Sequence, residues 1–95
     1  MLLAIDCGNT NTVFSIWDGV RFLATWRIAT DHKRTADEYF VWLSSLLALT
    51  KTDATITEAI ISSTVPRVVF TLRVLCDRYF GCRPLVVGKP ECRLP

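Results

Sequence analysis

This chain of 95 residues is expected to fold as an α/β unit, a mixed sheet with helices in the order β-β-β-α-β-α-β. Three observations lead there. Two short apolar runs, 1–5 and 13–17, flank the polar stretch Asp6-Cys7-Gly8-Asn9-Thr10-Asn11-Thr12. An alternating segment, 21–29, follows Asp18-Gly19, a strong hairpin signal. Two later segments carry apolar residues at helical spacing, and each opens on a helix-start signal, Thr35-x-x-Glu38 in one and Val65-Pro66 in the other.

Each element has its own reason. The first two apolar runs are short, aliphatic-rich and bounded by turn residues, so they read as buried strands joined by a tight hairpin at the edge of a sheet. In the third strand Phe22, Ala24, Trp26 and Ile28 fall on one face, and Arg21, Leu23, Thr25 and Arg27 on the other. A polar loop, 30–34, leads to the first helix. Thr35 and Glu38 form its capping box, and Asp37 adds negative charge near the positive helix end. Phe40, Leu43 and Leu47 then share a face, with Tyr39, Leu46 and Thr50 beside them. Beyond a polar connection, 58–64 is the fourth strand. Val65 precedes proline and is therefore extended, whereas Pro66 suits a first helical turn. The second helix runs to about Phe80 with Val69, Leu72, Cys76 and Tyr79 on one face, and Gly81 stops it. A fifth strand, 84–87, is followed by the turn Gly88-Lys89-Pro90.

With 51% hydrophobic and 21% charged residues the chain is rich in core material, and disorder is excluded. That richness points to a face meant for a partner lobe or subunit. The net charge of +2 is small and the basic residues are scattered, which argues against a nucleic-acid surface. Of the four cysteines, Cys7 and Cys76 are expected as buried thiols, while Cys82 and Cys92 pair only in an oxidising compartment. One histidine, His32, and no C-x-x-C leave no usual zinc quartet. With no secretory signal and no run of transmembrane length, the expectation is a cytoplasmic chain without a membrane partner.

The polar stretch is the candidate site. It offers one carboxylate (Asp6), two hydroxyls (Thr10, Thr12), two amides (Asn9, Asn11) and a glycine that admits close approach to the backbone. Backbone N–H groups and hydroxyls suit phosphate oxygens, and an aspartate holds Mg²⁺ through the ion's retained waters. Asp-x-Gly-Asn is equally ordinary turn chemistry. However, an Asn-Gly pair alone satisfies a hairpin, so Thr10, Asn11 and Thr12 exceed what a turn needs. Arg34 either faces an anion or is exposed and paired with an acid. Asp37 and Glu38 are explained as helix-start acids. Ser62 and Ser63, before a helix N-terminus, are explained by capping or by anion binding. Lys89 belongs to no P-loop, since no G-x-x-x-x-G-K-[ST] is present.

Asp6-Cys7-Gly8-Asn9-Thr10 resembles the first phosphate motif (D-x-G-N-T) of the type III pantothenate kinases, in the acetate and sugar kinase/Hsp70/actin superfamily. Arg34-Thr35-Ala36-Asp37-Glu38-Tyr39 resembles that family's R-T-x-D-E-[YL] segment. Ser62-Ser63-Thr64-Val65-Pro66 resembles S-S-V-V-P, with Thr64 where valine is usual. The resemblance implies a ribonuclease H-like (actin-like ATPase) lobe over 1–88 and the start of a linker over 89–95. It implies ATP binding through Asp6, Cys7, Gly8, Asn9, Thr10, Asn11, Thr12 and Val13, with Mg²⁺ near Asp6. It further implies pantothenate as substrate in the first step toward coenzyme A, a monovalent cation (K⁺ or NH₄⁺) and a homodimer. The family's G-A-D-R segment, with its catalytic aspartate, and its second phosphate motif, D-x-G-T-A, do not occur in these residues. The chain is accordingly expected to be an N-terminal half, inactive alone.

Two other functions fit the same residues. One is a non-catalytic module that binds nucleotide or pairs with a separate lobe. The other is a metal-dependent nuclease using Asp6, a helix carboxylate such as Glu38 and a further acid. Ser62-Ser63-Thr64 at the end of the fourth strand offers no such acid.

Overall fold

The computed structural model describes residues 1–50, 55–63 and 65–87. Its elements are β1 (Leu2–Cys7), β2 (Asn11–Trp17), β3 (Phe22–Ala29), α1 (Ala36–Leu49), β4 (Glu58–Ser63), α2 (Pro66–Phe80) and β5 (Leu85–Val87). The order is the expected one. The strands form a single mixed sheet ordered β3-β2-β1-β4-β5. β1 runs antiparallel to β2 and parallel to β4, β2–β3 is antiparallel, and β4–β5 is parallel. The β1–β2 hairpin therefore occupies the middle of the sheet rather than its edge. β1 is the central strand, paired on both sides.

Strand alternation divides the sheet into two faces. Leu3, Ile5 and Cys7 of β1, Thr12, Phe14 and Ile16 of β2, and Ala59 and Ile61 of β4 are all buried. They pack against Ala36, Tyr39 and Leu43 of α1 and Val68, Leu72, Leu75 and Cys76 of α2 in one cluster. Each large side chain buried there stabilises the fold by about 1.5–3 kcal/mol relative to exposure. Phe14 anchors α1, with ring centroids 5.7 Å from Tyr39 and 5.2 Å from Trp42. The other face carries Leu2, Ala4, Asp6, Val13, Ser15, Ile60 and Ser62, each partly or fully exposed. Neither described helix covers it.

Two local expectations need correction. The alternation of 21–29 is interrupted where the β2–β3 register shifts between Ile16 and Trp17. Phe22 pairs with Trp17, whose ring centroid lies 4.8 Å away, while Ala24 pairs with Ile16. A bulge adds one residue and turns Phe22 to the open face, away from Ala24, Trp26 and Ile28. The hairpin is also longer than Asp18-Gly19 suggests. Asp18 accepts from the N–H groups of Val20 and Arg21, both at 2.8 Å, and Gly19 takes φ 104°. These bonds hold the Asp18 carboxyl below its ordinary range.

On α1, Tyr39 lies at the bottom of the core and Phe40 at its margin, stacked on Tyr79 of α2 with centroids 4.0 Å apart. Asp37 accepts from Arg78 at 3.0 Å and from the Tyr79 hydroxyl. A residue explained by its place at the helix start thus also joins the two helices. The Thr35–Glu38 capping box is present as expected. α2 ends at Gly81, in the left-handed region at φ 62°. The turn and linker expected over 88–95 lie outside the described residues.

Candidate functional site

β1, β4 and β5 run in one direction, and β3, two antiparallel steps from β1, shares it. Their C-terminal ends therefore meet at one rim. α1 follows β3 and α2 follows β4, so both helix N-termini open there too. In open α/β sheets, ligands bind at such a rim, where helix N-termini favour anions.

The β1–β2 loop, Gly8–Thr10, sits on this rim. Gly8 N–H donates to the Asn11 carbonyl at 2.9 Å, closing the loop. A Cβ on Gly8 would lie 3.3 Å from that same oxygen, a tight approach that glycine avoids. Thr30, just past β3, adds two further ties. Its N–H donates to the Thr10 carbonyl at 2.9 Å, and its hydroxyl donates to the Gly8 carbonyl at 2.8 Å. The N–H groups of Asn9 and Thr10 have no hydrogen-bond partner among the described residues. They are the donors this loop offers to an anion.

The eight candidate residues separate by side. Asp6, Gly8, Asn9, Thr10 and Asn11 are exposed. Asp6 stands on the open face, opposite Val13 on β2 and Ser62 on β4. It borders a shallow concavity of about 260 Å³ that also reaches Ala4, Ser15 and Phe22. The Cys7 and Thr12 side chains point the other way, into the helix-covered core. The Thr12 hydroxyl lies 2.9 Å from that of Thr30 and 3.4 Å from Cys7 Sγ. Cys7 and Thr12 therefore reach a ligand only through their backbone.

The remaining candidates are engaged in the fold. Arg34 donates to the Ala29 carbonyl and lies over the Tyr39 ring, its Cζ 5.5 Å from the centroid. Ser63 accepts from Val65 N–H at 3.0 Å, a turn role, whereas Ser62 is exposed beside Asp6. Glu38 accepts from Thr35 N–H at 2.9 Å and sits in the helix layer, across the sheet from Asp6. A nuclease cluster of Asp6 and Glu38 is thus not assembled. Among the described residues no group of three or more His, Cys, Asp or Glu side chains converges. Thr64 and Lys89 lie outside the described residues.

Burial raises the Tyr39 phenol above its ordinary pKa, and its hydroxyl has no bonding partner among the described residues. Cys76 is buried as expected, and burial pushes its thiol up to about 12, with Cys82 adding to the shift. Cys82 lies beside Cys76, and burial raises its thiol as well. Raised thiols are weaker candidates for nucleophiles.

The whole site-bearing region matches known proteins. Residues 2–95 match the family model described as type III pantothenate kinase. Curated proteins named type III pantothenate kinase align over all 95 residues. One from Cereibacter sphaeroides (strain ATCC 17025 / ATH 2.4.3) is 85% identical, one from Dinoroseobacter shibae 74% and one from Paracoccus denitrificans 70%. The chain spans 37% of the length of each. With its family model matched over nearly its full length, the chain belongs to the type III pantothenate kinase family.

Proposed function

We propose that these residues form the N-terminal, phosphate-binding lobe of an ATP-dependent kinase that phosphorylates pantothenate, the first step toward coenzyme A. The observation that carries this reading is the Gly8–Thr10 loop, with two N–H groups that have no partner among the described residues, beside an exposed carboxylate. Asn9 and Thr10 donate to ATP phosphate oxygens, and the Thr10 hydroxyl adds a third donor. Mg²⁺ keeps several waters and uses one or two carboxylates plus phosphate oxygens, so a single exposed Asp6 fits it whereas a closed metal cage does not. When bound, the ion neutralises charge on the transferring phosphoryl group. Asp6 would hold it through those waters.

Phosphoryl transfer also needs a base and a clamp on the far side of the phosphate. In this reading both come from the remainder of the protein, along with pantothenate recognition and the monovalent cation. The lobe has a ribonuclease H-like, actin-like fold, and the protein works as a cytoplasmic homodimer. The uncovered sheet face, with Phe22 and Leu85 exposed, supports a lobe built to be covered by more of the same protein. The test is pantothenate-dependent ATP turnover by the full-length protein. Asp6→Asn should lower turnover by about a hundred-fold or more, as loss of a charge-positioning group does. Near-normal turnover would sink the phosphate-site assignment.

A further inference from the structure

The geometry points to Thr30 as the positioning residue of the phosphate loop, the group that aims its N–H donors. This inference rests on the kinase reading above and extends it to a residue that itself touches no ligand.

A trans peptide holds its C=O and N–H in opposite directions. The Thr30 hydroxyl fixes the Gly8 carbonyl at 2.8 Å, so it also fixes the direction of the Asn9 N–H on the same peptide. The Thr30 N–H fixes the Thr10 carbonyl at 2.9 Å and restrains the other end of the loop. One residue thus brackets Asn9 and Thr10 from the far strand. A threonine hydroxyl has one proton. Thr30 spends its proton on the Gly8 carbonyl, and its hydroxyl oxygen lies 2.9 Å from that of Thr12. Thr12 is fully buried and also donates to Cys7 Sγ at 3.4 Å, so the Thr30 hydroxyl is anchored to the core on one side and to the loop carbonyl on the other. Without the Thr30 hydroxyl the Gly8 carbonyl keeps only a long contact from the Cys7 thiol at 3.7 Å, and the Gly8–Asn9 peptide is less firmly held. Donors held in place before a ligand arrives bind charge better than donors that must be ordered first.

The test uses the full-length protein and two readouts, ATP binding by equilibrium dialysis and pantothenate phosphorylation. Thr30→Val keeps the side chain's shape and backbone bond but removes the hydroxyl. ATP should bind about ten-fold more weakly, in the range that loss of one positioned bond produces, with the KM for pantothenate unchanged. Thr30→Ser, which restores the hydroxyl, should bind ATP within about two-fold of wild type. A Val variant that binds ATP like wild type, or that weakens ATP and pantothenate equally, would show Thr30 to be merely structural. If the Val variant does not fold, the Ser variant still decides, since loss of ATP binding there contradicts a role carried by the hydroxyl. A wild-type protein that binds ATP but leaves pantothenate unphosphorylated would overturn the kinase reading while the Thr30 comparison stood. A wild-type protein that binds no ATP would overturn both.

Discussion

The two faces of the β1–β2 hairpin carry similar residue types and differ in what those residues can do. Asp6 on the open face and Asn9 and Thr10 in the loop are exposed. On the helix side Cys7 and Thr12 are buried, and Thr12 bonds to Thr30. Within this run of seven residues, strand alternation turns Asp6 and Asn11 away from the core and Cys7 and Thr12 into it, while Gly8–Thr10 form the exposed loop between the strands. Thr10 and Thr12, two positions apart but separated by the loop's end, have opposite surroundings. Chemical type alone therefore does not identify a ligand, because the direction of each side chain decides.

Paired substitutions measure this difference. The largest separation should come from Asp6→Asn, where turnover collapses while stability stays within about 0.5 kcal/mol, as for most surface changes. Next, Thr10→Ala should raise the KM for ATP several-fold with an unchanged melting temperature. Thr12→Val should lower stability by about 1–2 kcal/mol, because it strips a buried hydroxyl from its partner, with a smaller effect on ATP. The reverse pattern would exchange the two roles. Tyr39→Phe is expected to be neutral or slightly stabilising in thermal melts, since it removes a buried hydroxyl that has no partner among the described residues. A clear loss of stability would show that Tyr39 bonds to something beyond those residues.

The smallest effect concerns the helix join. The Tyr79 hydroxyl and then Arg78 hold the Asp37 carboxyl below its ordinary pKa of 3.8. A depressed carboxylate contributes stability that is present above pH 3.8 and is lost as pH falls through its lowered folded value. Asp37 is exposed, so solvent screening keeps the contribution small. Asp37→Asn should melt slightly lower than wild type at neutral pH, and the gap should close in acid. A gap independent of pH would assign the loss to packing rather than charge.

Much of this was legible from local pattern. The capping box at Thr35, Pro66 in a first helical turn and Gly81 at a helix end are short-range signals, and each stands where the pattern puts it. The D-C-G-N-T loop was legible as a candidate site because it holds more polar groups than a turn requires. What escaped depends on contacts distant in sequence. Thr30 lies in a loop without periodicity, and only β2–β3 pairing brings it to Gly8, 22 positions earlier. The Asp37 contact with Arg78 spans 41 positions. The bulge opposite Ile16–Trp17 reverses Phe22, and an alternation count has no means of registering an added residue. Tyr39 and Phe40 were not separable on a helical wheel, because adjacent positions differ by only about 100°. Helix packing on Phe14 decided between them.

The division of the hairpin is best tested by amide NMR on the full-length protein, with asparagine and threonine ¹⁵N-labelled, titrated with ATP. If the loop works as described, the Asn9 and Thr10 amide signals should shift strongly toward the values of hydrogen-bonded groups, while Thr12 moves little. Saturating ATP that leaves Asn9 and Thr10 unmoved, or that moves Thr12 most, would contradict the account.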